Sequence, residues 1–268
     1  MRYSLALILL FTLTACSIFS PSPDVKSATD SAQAKEIYAE AMQDMEGGNF
    51  EKAIKSFEKL QSLYPYGRYA QQAQLEIAYA YFKQKEPESA IAATDRFIKQ
   101  FPNNPHVDYA YYLKGLINFN EDLGLLGEVV KQDLSERDPN AARDAFGAFK
   151  ELVTRFPDSK YAPDARLRMQ YLINALARYE IHVANYYLRR GAYVAAANRA
   201  KDVLADYPKT PAMIDALRIM VQAYDGMGMK DLRDDAQRVL DMNTAKGGAT
   251  PDAGVSSQNK KPWWQLWK

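Results

Sequence analysis

The residue types that carry most protein chemistry are scarce in this chain. Ser56-Phe57-Glu58-Lys59 has the Ser-x-x-Lys spacing in which a serine nucleophile opens a helix beneath an oxyanion hole. Ser56 instead falls in the middle of a helical pattern beside the apolar Phe57, and neither a Lys-Thr-Gly nor a Ser-Asp-Asn partner is present. His106 and His182 are the only histidines, and they lack the His-Glu-x-x-His spacing that puts two metal ligands on one helix face. His106, in the turn Asn103-Asn104-Pro105-His106, reads as a surface or capping residue. No glycine-rich loop suited to a phosphate is present. Catalysis, a metal and a bound cofactor are therefore not part of the reading, and the reactive chemistry narrows to Cys16, the only cysteine.

The place of Cys16 decides its use. Arg2, an apolar run from Leu5 to Phe11 and the junction Leu13-Thr14-Ala15 precede it, the pattern of a secretory signal peptide over residues 1–15. The run is too short for the roughly 20 residues that span a bilayer. Leu13-Thr14-Ala15-Cys16 resembles the lipobox of bacterial lipoproteins, where the thiol takes a diacylglyceryl group, the chain is cut before the cysteine, and the new amino terminus is acylated. A lone cysteine can also be a buried apolar residue or a catalytic thiol, but neither explains a position directly behind a signal peptide. Several acyl chains, at about 0.8 kcal/mol per buried CH₂, anchor stably where one does not. Residues 16–31 then read as a lipidated N-terminus and flexible tether, because Ser17 to Ser31 is rich in Ser, Pro, Asp and Thr and has little to bury. In related lipoproteins an aspartate after the cysteine favours the inner membrane; Ser17 stands here and points to the outer one. No cysteine remains for an internal disulfide.

These ends must be joined by a body, and its composition bounds its class. With 47% hydrophobic residues it can bury a sizeable core, and 34 basic against 33 acidic residues leave a formal charge of +1, with no electrostatic footprint for nucleic acid. Glycine and proline punctuate long helical patterns rather than short alternating runs, so the chain reads as all-α.

The body repeats itself. Pro65, Pro102, Pro157 and Pro208 each follow an aromatic residue (Tyr64, Phe101, Phe156, Tyr207). Each precedes an alanine by eight residues (Ala73, Ala110, Ala165, Ala216) and follows another by twelve (Ala53, Ala90, Ala145, Ala196). Between these alanines and prolines come Phe57 with Leu60, Thr94 with Phe97, Phe149 with Leu152, and Ala200 with Val203; Ala41, Ala78 and Ala184 hold a small position in the preceding helix. Small residues where two helices touch, larger ones filling the gap and proline ending the second helix make the tetratricopeptide pattern. A weaker fifth unit aligns Ala223 with Ala41 and Val239 with Phe57, and its second helix, Asp231 to Met242, is charged along one face as a capping helix should be. The expected fold is a right-handed α-solenoid of about five helix pairs.

Proline spacings beyond the usual period of about 34 residues require insertions. Phe119 to Asp138 suits an elaborated loop, with Asp138 as N-cap and Pro139 at the first position of the next helix; Tyr161 to Arg190 reads as one long helix. The divisions expected are N-terminal repeats at 32–119, C-terminal repeats with insertions at 120–243, and a linker and tail at 244–268. All three tryptophans lie in the tail, Pro262-Trp263-Trp264-Gln265-Leu266-Trp267-Lys268. Tryptophan beside lysine suits a bilayer interface or an apolar groove on a partner; folding back on the chain's own repeats is the other option.

Several stretches go beyond generic repeat spacing: Asp95-Arg96-Phe97-Ile98, Asn104-Pro105-His106, Asp108-Tyr109, Tyr112-Leu113-Lys114-Gly115-Leu116, Ser135-Glu136-Arg137-Asp138-Pro139, Tyr179-Glu180, Val183-Ala184-Asn185-Tyr186-Tyr187 and Arg190-Gly191-Ala192-Tyr193. From the lipobox to about Met242 the chain resembles the BamD (ComL) family, the tetratricopeptide lipoproteins of the machine that inserts β-barrels into the outer membrane. The linker and tail are not general features of that family. The resemblance implies a scaffold and receptor on the periplasmic face, whose partners are a BamA-type barrel subunit, other lipoproteins of the machine and unfolded outer-membrane proteins. It implies that the C-terminal repeats hold the barrel subunit, with Arg190, Tyr193 and Arg199 as candidate contacts, since an arginine fork can pair bidentately with a carboxylate. The competing roles are that Arg190 caps the long helix and Arg199 is solvated. The repeat registers place Tyr38, Met42, Gln72, Tyr79, Lys83, Tyr109 and Tyr112 on or near the concave side. An apolar, polarizable groove with one cation suits an extended peptide ending in an aromatic residue, unless the tyrosines pack between helices as core. A lipoprotein that organises peptidoglycan or cell-division proteins is the alternative in the same location.

Cys16→Ala is expected to leave the precursor uncut or to release the body from the membrane. Intact-mass measurement of the native mature protein checks the anchor, and an unmodified Cys16 would refute it.

Overall fold

The computed structural model describes the backbone at residues 23–123 and 139–245, and side chains at 32–119 and 139–245. Cys16, Asp138, most of the expected insertion and the tryptophan tail lie outside the described residues. Among these residues there are ten helices and no strand: α1 (Pro23–Glu46), α2 (Phe50–Leu63), α3 (Arg68–Gln84), α4 (Pro87–Gln100), α5 (Val107–Leu123), α6 (Asn140–Arg155), α7 (Ala162–Arg189), α8 (Tyr193–Asp206), α9 (Ala212–Gly226) and α10 (Lys230–Ala245). The all-α expectation of five helix pairs holds.

Three boundaries differ from expectation. The expected tether is helical from Pro23, a residue whose fixed φ suits the first helical position. α5 runs on through Phe119 to Leu123, and α6 takes Pro139 as its N-cap rather than as its first residue. The chain divides into compact units at Asn104/Pro105 rather than at 119/120, because α5 packs on α6 within the second unit.

The first unit contains α1 to α4 and the second α5 to α10. Within each, consecutive helices pack as hairpins, and α1 also meets α3, as α7 meets α9. The crossing points are small residues with no exposed surface: Ala41, Ala53, Ala73, Ala78 and Ala90 in the first unit, and Ala110, Ala145, Ala165, Ala184, Ala196, Ala216 and Ala223 in the second. Beside them sit large, fully buried side chains, Phe57, Leu60 and Phe97 in the first unit, Phe149, Leu152 and Leu172 in the second. Burying one such side chain is worth about 1.5–3 kcal/mol. The closest fit is at Gly115, where an added Cβ would stand 2.4 Å from the Phe149 ring. The fifth pair departs from its expected register: Ala236 and Leu240 turn inward and Val239 is 39% exposed.

Helix ends recur as faithfully as helix faces. Tyr64, Phe101, Phe156 and Tyr207 cap the second helices at φ near −130°, each donating its N–H to the carbonyl four residues back before proline stops the helix. Four first helices end in a Schellman turn. The residue in the left-handed region is Gly48, Lys85, Gly191 or Gly228, and the next N–H bonds back to Asp44, Tyr81, Tyr187 or Tyr224. Lys85 alone among them carries a Cβ, at φ 63°.

The left-handed conformation costs an L-residue about 1–2 kcal/mol, partly offset because glycine loses about 0.4–1 kcal/mol more chain entropy on folding. Lys85→Gly is therefore expected to stabilise the protein by up to about 1 kcal/mol, read as a higher urea midpoint at unchanged slope. A lower midpoint would show that the Lys85 side chain outweighs its backbone.

Candidate functional site

In the first unit, α3 presents a stripe at three- and four-residue spacing: Tyr69, Gln72, Glu76, Tyr79 and Lys83. α1 lies alongside and adds Tyr38 and Met42. The Tyr38 ring is 5.5 Å from both Phe57 and Tyr69, and its hydroxyl donates to Glu76 Oε1 at 3.4 Å. The Tyr79 ring is 6.3 Å from Phe82. Tyr38, Met42, Gln72 and Tyr79 are half-buried and Lys83 is exposed, so five of the expected groove residues share one surface. The ring bodies are held by packing and their edges remain available.

Glu76 and Tyr69 were missed by sequence reading, although the spacing that picked out Tyr79 and Lys83 leads back to both. Burial pushes the Glu76 carboxyl above its ordinary value, and the hydrogen bond from Tyr38 only partly opposes this. Tyr38 is pushed up by burial and then by Glu76; Tyr79 is shifted the same way for the same two reasons. The site is thus aromatic and poorly solvated, with one carboxyl shifted above its ordinary value by burial and one outlying ammonium. Such a surface can take apolar and aromatic side chains and meet a carboxylate at Lys83.

The two tyrosines expected to extend this groove belong to the second unit, and one is corrected. Tyr112 is 5% exposed. Its ring stacks on Tyr161 at 4.8 Å, lies 6.0 Å from Phe149, and its hydroxyl donates to Asp164 Oδ2 at 2.7 Å, an oxygen also held by Arg168 Nε at 2.6 Å. It is core, because α7 covers its face of α5. Tyr109 is half-buried, 5.4 Å from the same Tyr161 ring.

The candidate partner contacts surround the α7–α8 turn and have three different environments. Arg190 caps α7 by its backbone, while its exposed guanidinium lies 4.9 Å from the centre of the Tyr186 ring. Tyr193 packs its ring on Gly226, where a Cβ would stand 2.6 Å from it, so it locks α8 to α9 more than it offers a contact. Arg199 is not simply solvated: Nη1 donates to Glu180 Oε2 at 3.0 Å, and Arg143 approaches Oε1 of the same carboxylate at 3.5 Å. Glu180, 5% exposed, ties α7 to α6 and α8. The sequence marks Tyr179-Glu180 as part of a family-specific stretch but gives Glu180 no role, because its partners are distant in the chain. Ser56 and Lys59 lie on one face-crossing turn of α2, half-buried and exposed, and both histidines are exposed.

Helix hairpins joined through buried alanines, with polar and aromatic side chains displayed on the first helices, define a tetratricopeptide-type binding scaffold. More particularly, the chain belongs to the YfiO family of outer membrane lipoproteins, whose model matches residues 30–239. Outer membrane protein assembly factor BamD of Neisseria meningitidis serogroup A (strain Z2491) is 42% identical over 255 residues, covering 95% of each chain. The protein of the same name from Xylella fastidiosa (strain Temecula1) is 42% identical over 81% of this chain and 74% of its own. That of Vibrio cholerae O1 is 36% identical over 89% and 95%.

The raised Glu76 carboxyl gives a signed pH dependence. The fold favours the protonated form, so its contribution is complete below the ordinary value of 4.5 and is lost as pH rises through the raised value. Glu76→Gln is expected to raise the melting temperature at pH 7–8, with the gain shrinking toward pH 4. Thermal melts across that range check it; a loss at pH 8 would mean that the ionised carboxylate is needed.

Proposed function

We propose that the chain is the scaffold and receptor subunit of a β-barrel assembly machine, tethered to the periplasmic face of the outer membrane through acyl groups on Cys16. The observation that carries this reading is the 42% identity over 255 residues with a protein named as an outer membrane protein assembly factor. The geometry supports a division of labour. In the first unit, Tyr38, Met42, Gln72, Tyr79 and Lys83 receive unfolded outer-membrane proteins, aromatic residues entering between the tyrosine edges and a chain-end carboxylate meeting Lys83. Affinity is modest because ordering the peptide offsets much of the burial gain. In the second unit, the α7–α8 turn with exposed Arg190 and Tyr186 meets the barrel-forming subunit, and Arg199 takes part while anchored on Glu180. Other lipoproteins of the machine share the remaining surface.

Photocrosslinkers placed at Tyr79 and Lys83 in the lipidated protein are expected to capture barrel precursors during assembly. Capture only from second-unit sites, with none from these two, would move the receptor surface; no capture anywhere, with normal barrel assembly, would leave the chain a scaffold alone.

A further inference from the structure

The last helix carries an apolar stripe that its own repeat does not cover. α10 turns Ala236 and Leu240 inward, while Met229 just before it, and Leu232, Val239 and Met242 along it, are 45%, 41%, 39% and 51% exposed. Leu232, Val239 and Met242 stand at i, i+7 and i+10 and so share one side of the helix, with Met229 almost one turn before Leu232. Exposed Asp231 and Asp235 border the same side, and Asp235 is paired with Arg238. A repeat array needs a polar outer face at its end, and three large, partly exposed apolar side chains on one side of this helix, with Met229 at their edge, mark a surface suited to being covered.

The chain supplies a covering segment of matching chemistry. Pro262-Trp263-Trp264-Gln265-Leu266-Trp267-Lys268 holds every tryptophan of the protein, and Lys260, Lys261 and Lys268 flank the rings. Each aromatic side chain offers on the order of 150–250 Å² for burial. The intervening residues, 246–261, leave directly from the end of α10. A Gly/Ser-type chain of that length spans on the order of 20–25 Å, and the sixteen residues of α10 measure about 24 Å. Reach and stripe length therefore agree. A tether of matched span holds its end at an effective concentration on the order of millimolar, so weak intrinsic contacts suffice.

We propose that residues 262–268 fold back onto the Leu232, Val239 and Met242 side of α10 and cap the array, with the tryptophan rings on the stripe and the lysines toward Asp231 and Asp235. A partner that takes this end of the array must then displace the tail. The inference is independent of the receptor and partner surfaces proposed above.

Intrinsic tryptophan emission reads the tail alone, since the body has no tryptophan. The complete mature chain carrying Cys16→Ser, measured without detergent, is expected to emit to the blue of a synthetic peptide of residues 260–268 and to be quenched severalfold less by acrylamide. Val239→Asp with Met242→Asp is expected to return both readings to the peptide values. A second reading spares the helix: in a full chain with Trp263, Trp264 and Trp267 all changed to Ser, dilute peroxide is expected to oxidise Met229 and Met242 severalfold faster than in the parent. Peptide-like emission in the parent, a blue shift that survives the double variant in a folded protein, or equal oxidation rates would overturn the proposal. So would a blue shift that vanishes on dilution, which assigns the stripe to a second copy, or one that arises only with phospholipid vesicles, which assigns the tail to a bilayer.

Discussion

The close approach of helices across buried alanines is the constraint on which the rest of the structure depends. Helix axes pack about 8–10 Å apart, at the short end of that range where the side chains at the crossing are small, and the crossing alanines here have no exposed surface at all. That spacing lets Phe57, Phe97 and Phe149 fill the remaining gaps completely, and it makes the gaps intolerant of additions. Gly115 under Phe149 and Gly226 under Tyr193 are its limiting cases, where the backbone itself is one wall of a ring's socket. Larger side chains at such points force the helices apart or the rings out of their rotamers, at about 1–3 kcal/mol each.

A core built this way commits little of the first helices' remaining surface, and what that surface becomes is set by the next helix. On α3, the stripe from Tyr69 to Lys83 is backed at Tyr69 by Tyr38 of α1, which itself rests on Phe57, and its half-buried members keep an exposed edge. On α5, Tyr112 is closed over by Tyr161, Asp164 and Arg168 at the start of the long α7. Tyr112 stands ten residues after Pro102, the register of buried Leu75 after Pro65, and ends as a core post, while Tyr79 at a different register keeps a binding edge.

Buried carboxylates show the same dependence on neighbours. Glu76 has a tyrosine hydroxyl as partner and is driven toward its neutral form by burial. Glu180, more deeply buried, faces Arg143 and Arg199 from two flanking helices and acts as a tie between them. A surface arginine identified by family motif therefore has a structural duty as well, and charge reversal at Arg199 would place two carboxylates together.

Much of this was legible in the chain. The alanine and aromatic-proline registers determined the helix pairs and their ends, because close packing and the proline ring restrict residue type wherever the repeat recurs. The long α7 followed from unbroken helical pattern, and the candidate groove on α1 and α3 from the same register. What only tertiary structure decided were the properties that depend on distant neighbours: the partners that close over Tyr112, the sharing of Glu180, the upward shift of the Glu76 carboxyl, and the outward turn of Val239 in the last described helix. Local periodicity sets which residues lie on one face of a helix, but whether another helix covers that face, and with what charge, depends on residues far away in the sequence.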